Sequence, residues 1–160
     1  MINKQWQRTW IFWIAASTSL ILDRLSKIWV LQTFKLGQTM PLLPGVFHLT
    51  YVTNTGAAFS LFSGSAWLRW LSLLVSIGLI ALVWLTPRLN VWEKIGYGCI
   101  LGGAIGNGID RFATGAVIDF LDFRLIRFPI FNIADVSINI GIICLLIAIV
   151  RTPSKRGSKS

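Results

Sequence analysis

Two aspartates stand in settings that push their carboxyl groups in opposite directions. Asp119 lies in Ala116-Val-Ile-Asp-Phe-Leu121, an otherwise apolar stretch in which desolvation raises a carboxyl pKa. Asp135 follows Asn132 by one turn at the start of an apolar block, where the positive end of a helix dipole favours the ionised form. Two carboxyl groups sharing one proton can activate a water as base and protonate a leaving amine as acid. A separation of 16 positions does not establish that they meet, so the pair is a candidate read from chemistry alone. Other polar residues accompany it. Asp23 and Lys27 are spaced i, i+4 and can neutralise each other on a helix, as an interfacial pair or as part of a site. Asn107, Asp110 and Arg111 are spaced i, i+3, i+4 and share a helix face, where they serve either to cap that helix or to hold a site.

The elements that must position these groups are membrane elements. Of 160 residues, 54% are hydrophobic, and mean hydropathy is +0.68; ordinary soluble domains hold roughly 45 to 50% apolar residues. The apolar residues fall in four long blocks, as a bilayer requires. They predict a mainly α, polytopic membrane protein with a single membrane-embedded domain over 1–160 and helices at about 10–30, 66–86, 95–112 and 133–151. An outer β-containing segment is expected at about 36–60, where Pro41 and Pro44-Gly45 punctuate the chain and Val46 to Val52 is rich in aromatic and β-branched residues. Residues 153–160 read as a disordered basic tail. The first block resembles a secretory signal at its basic start, but no cleavage pattern follows, so it reads as retained. Gly98, Gly102 and Gly106 form a ridge that lets a neighbouring helix approach closely. Cys99 and Cys144 lie in apolar blocks and predict neither a disulfide nor a metal site.

The net charge of +9 belongs with topology and anionic lipid, not with nucleic acid, because the positives flank apolar blocks. Lys4, Arg8, Arg88, Lys94, Arg151, Lys155, Arg156 and Lys159 fall on one side, which places both termini in the cytoplasm. Lys35, Arg124 and Arg127 fall on the other, with Arg24, Lys27, Arg69 and Arg111 at helix ends. With that orientation Asp23, Lys27, Asn107, Asp110, Arg111, Asn132 and Asp135 converge on the outer face, joined by Asn54 and Asp119 from the outer segments. Ionisable groups at a helix centre cost about 2.5 to 3.5 kcal/mol each, so such a cluster needs a reason.

Three other readings compete. A transporter or proton relay would distribute acids through the membrane, yet the inner halves of the blocks lack them. A structural subunit built on the glycine ridge leaves the polar cluster unexplained. A Ser-His-Asp triad would have to use His48, the sole histidine, which reads better as a surface or packed residue; Ser60, Ser63 and Ser65 lie nearby without a nucleophile elbow. Trp6, Trp67 and Trp92 at block ends fit interfacial anchoring.

Five segments then carry a family resemblance: Asp23-Arg-Leu-Ser-Lys27, Asn54-Thr-Gly-Ala-Ala-Phe59, Gly102-Gly-Ala-Ile-Gly-Asn-Gly-Ile-Asp-Arg111, Val117-Ile-Asp-Phe120 and Phe131-Asn-Ile-Ala-Asp135. In order and spacing they resemble the motifs of bacterial lipoprotein signal peptidases, the type II signal peptidases, over about residues 20 to 140. The resemblance implies an aspartyl endopeptidase of the bacterial inner membrane with four helices and its active site at the extracytoplasmic face. Such an enzyme cuts diacylglyceryl prolipoproteins on the N-terminal side of the lipidated lipobox cysteine, using no metal or cofactor. It also implies Asp119 and Asp135 as the catalytic pair and Asp23, Lys27, Asn54, Gly56, Asn107, Asp110, Arg111 and Asn132 as supporting or substrate-binding residues. Expected partners are the prolipoprotein, membrane lipid and the inhibitor globomycin, with the chain a monomer.

Overall fold

The computed structural model describes residues 4–56, 67–126 and 128–151. The expected tail at 153–160 and the serines Ser60, Ser63 and Ser65 lie outside the described residues. Those described form α1 (Lys4–Thr33), β1 (Thr39–Leu43), β2 (Phe47–Asn54), α2 (Trp67–Leu85), α3 (Val91–Ala113), β3 (Val117–Phe123) and α4 (Ile133–Arg151).

Helix α3 is the centre of the bundle and packs against α1, α2 and α4. The glycine ridge explains how it comes so close to α1. A Cβ on Gly98 would lie 2.5 Å from the Phe12 carbonyl oxygen, and one on Gly102 would lie 2.5 Å from that of Ala16. Both are too short for any side chain, so only glycine permits this separation. One turn on, Gly106 faces the Asp23 carboxylate. The order of these contacts makes α1 and α3 parallel. Gly103 against Ala134 and Gly96 against Gly141 make α4 antiparallel to both.

Helices α2 and α4 are long and apolar enough to cross a membrane, and only 17% and 28% of their apolar windows are buried. A core helix of a soluble protein would be covered. Helix α1 buries Asp23 and Lys27 while Ile14, Ile21, Leu25 and Ile28 remain exposed; an apolar surface of that extent is stable only against lipid or a partner. Two apolar clusters brace the bundle at its ends. Phe12, Ala16, Val83 and Leu101 form one, and Val30, Phe34, Leu49, Ile118 and Phe120 form the other, which ties α1 to the sheet. Asp23 and Lys27 fall between them along α1.

The sheet is antiparallel in the order β1-β2-β3. Pro44-Gly45 makes its first turn: Gly45 has φ +75°, and the Val46 N–H donates to the Leu43 carbonyl at 3.0 Å, as in a type II turn with Pro and Gly at the central positions. The third strand goes beyond the expected β segment. All of Val117 to Phe120 is buried, so the alternation that marks a half-exposed strand is absent. Helix α3 also starts four residues before the expected position because Asn90 and Glu93 form a capping box. The start of α1 at Lys4 precedes its apolar block, which begins at Trp10.

Candidate active site

The acid pair is assembled by one return of the chain. After β3, residue Phe131 bridges back to Leu121, exchanging backbone hydrogen bonds of 2.8 and 3.1 Å. That bridge sets Asn132 beside Asp119. Asn132 then begins α4, and its side chain accepts the Asp135 N–H at 3.1 Å while its own N–H donates to the Asp135 carboxylate at 3.1 Å. This reciprocal arrangement is a capping box with aspartate in the third helical position. The side chain of Asn132, with its oxygen committed to that N–H, must present its NH2 outward, and Nδ2 donates to Asp119 at 2.6 Å. One asparagine therefore holds both carboxylates.

Asn107 is oriented by the same logic. Its Oδ1 accepts from Lys27 Nζ at 3.0 Å and from Asn132 Nδ2 at 3.0 Å, which leaves its NH2 to donate to Asp135 at 2.8 Å. Asn54 from β2 donates to the second oxygen of Asp119 at 3.2 Å and accepts the Gly56 N–H at 2.9 Å. Asp119 is 2% exposed. Burial is the main cause that pushes its carboxyl up to about 6, the Asp135 charge adds to the rise, and the Asn132 and Asn54 amides act against it.

Behind the pair is a sealed ionic cluster. Lys27 and Asp23 are fully buried, and Lys27 Nζ contacts Asp23 Oδ1 at 2.9 Å and Asp110 Oδ2 at 2.7 Å. Arg24 donates to the other oxygen of Asp110. Two acids meet two bases, so the cluster is neutral. Asp23 also accepts the Ala134 N–H at 3.1 Å, a first-turn donor that α4 cannot satisfy internally. Asp110 receives the Ile118 N–H at 3.4 Å, which fixes β3 one residue before Asp119. Arg111 points elsewhere: it donates to the Gly56 carbonyl at 3.2 Å and to Ser72 Oγ at 3.4 Å.

A cleft of about 890 Å³ opens in front of the pair, lined by Asp119, Asp135, Asn54, Asn107 and Arg111 on its polar side. Most of its remaining wall is apolar, from Phe128 to Phe131 in the loop and through Val136, Ile140 and Ile143 down α4, with Thr53, Thr55 and Asn139 as polar exceptions. The ten residues of the expected site converge here: in the pair, in the cluster behind it, at the cleft wall or, for Asn132 and Gly56, bonded to residues of the pair or of that wall. Two residues outside that set contribute. Arg24, read as a helix-end charge, pairs with Asp110, and its place within the Asp23-to-Lys27 motif was the available signal. Ser72, a hydroxyl in an apolar helix, abuts Gly108 and receives Arg111. His48 is packed: it is buried in β2, its Nε2 accepts the Gly45 N–H at 3.3 Å, and it pairs in register with Asp122. Asp122 serves the sheet. Burial opposes its charge, but hydrogen bonds from Thr50 at 2.6 Å and Arg124 at 2.8 Å outweigh that and hold its carboxyl below the usual range.

Residues 15–151 match the family described as signal peptidase (SPase) II. The chain belongs to the signal peptidase II family. Among its relatives, the lipoprotein signal peptidase of Cyanothece sp. (strain PCC 7425) is 70% identical over 141 residues, covering 86% of this chain and 82% of that protein. The lipoprotein signal peptidase of Nostoc punctiforme is 64% identical over 149 residues, covering 92% and 94%. A solved structure described as a bacterial membrane enzyme, determined by the in meso method at 2.3 Å, superposes with a TM-score of 0.83 at 31% identity, covering 92% of each chain. A second, at 1.9 Å, gives 0.78 at 31% identity and covers 88% and 92%.

Proposed function

We propose that this chain is an aspartyl endopeptidase that removes the signal peptide from diacylglyceryl-modified prolipoproteins, cutting on the N-terminal side of the lipidated cysteine. The observation that carries the reading is the joint hold of Asn132 on Asp119 and Asp135 at the head of one cleft. In this mechanism Asp135 takes a proton from a water lying between the carboxyl groups, and that water attacks the scissile carbonyl. Asp119, whose burial keeps its proton to higher pH than a free carboxyl, donates a hydrogen bond to the developing oxyanion. Protonation of the amine then completes cleavage. Asn107, Asn132 and Asn54 fix the two carboxyl groups, while Asp23, Lys27 and Asp110 anchor the helices that carry them. Arg111 and Gly56 hold the β2 end of the cleft.

All four helices cross the inner membrane in this reading, with both termini cytoplasmic and the acid pair at the extracytoplasmic face. Asp23 and Lys27 of α1 and Asp110 of α3 are compatible with that placement because they are buried against each other. The apolar wall along α4 suits a signal peptide and acyl chains that remain in lipid, so the protein mainly orients a bond already concentrated at the interface. The chain acts as a monomer, and globomycin occupies the same cleft. Cleavage of a synthetic diacylglyceryl prolipoprotein by the purified protein in detergent tests the proposal. Asp119→Asn and Asp135→Asn should each lower turnover by about 10³-fold while remaining folded; turnover near the wild-type rate in either folded variant rejects the two-aspartate mechanism.

A further inference from the structure

At the end of the bundle opposite the acid pair, a small cavity of about 110 Å³ lies where α1, α2 and α3 meet. Thr9, Thr86, Leu89 and Lys94 are among its lining residues, and Trp84 forms its rim. Lys94 has no ion pair among the described residues. The neighbouring acid, Glu93, is committed to the Asn90 N–H at 2.7 Å. Arg88 and Arg151 add positive charge at the same end, the latter stacked over Trp92 at 5.2 Å.

Trp84 also belongs to a second hollow, of about 350 Å³, lined only by Ile77, Ile80, Ala81, Trp84 and Leu85. These positions recur at helical spacing and form one stripe of α2, exposed except at Ile80, which packs partly into the bundle. From Ile77 to Trp84 the stripe runs about 10 Å along the helix axis. Trp84 is thus shared between a cationic, hydroxyl-bearing cavity and an apolar groove along α2. A free anion would leave the groove unused, a lipid without a phosphate would leave Lys94 unpaired, and a zwitterionic headgroup would bring a second cation toward Lys94, Arg88 and Arg151. One molecule satisfies both: an anionic phospholipid, with its phosphate in the cavity and an acyl chain in the groove.

We propose that Lys94, Thr9 and Thr86 receive the phosphate of an anionic diacyl phospholipid from the leaflet on the side of the chain termini, with one acyl chain seated along Ile77, Ala81 and Trp84. The site is remote from the cleft and is independent of the chemistry there, though it shares the membrane placement proposed above. Its lipid holds the α2–α3 connection, where Thr86 to Asn90 reverse the chain.

Native mass spectrometry of the purified protein with phosphatidylglycerol, phosphatidylcholine or glycerol 3-phosphate tests the site. One phosphatidylglycerol should be retained in preference to phosphatidylcholine, and glycerol 3-phosphate should not displace it. Lys94→Gln should lower phosphatidylglycerol occupancy about five-fold, the effect of one surface cation on anionic lipid, and Lys94→Arg should restore it. Ala81→Trp, which fills the groove, should also lower it. Arg88→Gln, outside the cavity, should change it less than two-fold. Equal losses at Arg88 and Lys94 overturn the site in favour of diffuse attraction, as does equal retention of the two lipids. Displacement by glycerol 3-phosphate, or an unaffected Ala81→Trp, overturns the acyl-chain half. Prolipoprotein cleavage by Lys94→Gln in detergent should equal wild type, so a failure of this site and a failure of the peptidase reading give separate results.

Discussion

The ionic cluster and the carboxyl pair share α3 and the ends of α1 and α4, yet their acids are treated in opposite ways. Asp23 and Asp110 meet Lys27 and Arg24 directly, at full or nearly full burial. Asp119 and Asp135 meet only amides, from Asn132, Asn54 and Asn107. A carboxylate locked to an ammonium is committed to structure. One held by neutral amides is positioned without being neutralised and stays available for proton transfer. The two regions are joined by Asn107, whose oxygen faces Lys27 and whose NH2 therefore faces Asp135. Lys27 thus acts on the pair at one remove.

This contrast is broken most sharply by substitution on both sides. Asp119→Asn and Asp135→Asn should lower cleavage by about 10³-fold, within the range of general acid–base catalysis, with melting temperature nearly unchanged. Lys27→Met should do the reverse in kind. It leaves Asp23 and Asp110 buried with one cation between them, at a cost of about 3 to 5 kcal/mol, and a large fall in melting temperature should accompany any loss of activity. Comparable unfolding by Asp119→Asn would erase the distinction.

A second test uses the close approach of α3 to α1. A Cβ at Gly106 enters the Asp23 carboxylate, and one at Gly98 enters the Phe12 backbone. Gly106→Ala and Gly98→Ala should each destabilise by about 1 to 3 kcal/mol, as overpacking does. Only Gly106→Ala should also lower kcat, because Asp23 holds both Lys27 and the first turn of α4. Equal kcat values for the two folded variants would detach the cluster from the pair.

The helices were legible in the sequence because long apolar blocks need no pattern beyond length and apolarity. Helix α3 was cut short because its first turn, Val91 to Lys94, is carried by a capping box and not by apolar residues. Strand β3 was illegible for a related reason: with Val117 to Phe120 buried throughout, period-two alternation disappears. That omission concealed the event that unites the acids. Composition and spacing placed Asp119 and Asp135 on one side of the membrane, and the family resemblance named them as a pair. Their approach depends on β3 pairing with β2 and on Phe131 bridging to Leu121, contacts between segments distant in sequence. The glycine ridge, by contrast, was legible because four-residue spacing is local information.

The pH response separates the regions without mutating the cluster. Asp119 has a folded-state pKa of about 6, above its unfolded value near 3.8. The folded protein therefore binds more protons than the unfolded chain between those values, and this group's contribution to stability is present at low pH and lost as pH rises through about 6. The wild-type melting temperature, measured in detergent against that of Asp119→Asn, should fall over this interval and level off above it. The basic limb of kcat/KM should lie in the same range, where the proposed acid loses its proton. A difference curve that is flat from pH 4 to 7 would show that burial does not control this proton.

The smallest effect is expected at the rim of the cluster. Arg24 and Lys27 both bind Asp110, but the Arg24 side chain is 28% exposed whereas that of Lys27 is 0%. Water and salt can replace the first cation and cannot reach the second. Arg24→Gln should cost no more than about 1 kcal/mol, in the range of exposed ion pairs, and should leave cleavage within two-fold of wild type. Raising salt should shrink its difference in melting temperature from wild type, since exposed pairs are screened. The deficit of Lys27→Met should persist at every salt concentration. If Arg24→Gln instead matches Lys27→Met in size and in indifference to salt, the cluster is sealed by both cations, and its boundary lies one residue further toward solvent than the burial of Lys27 implies.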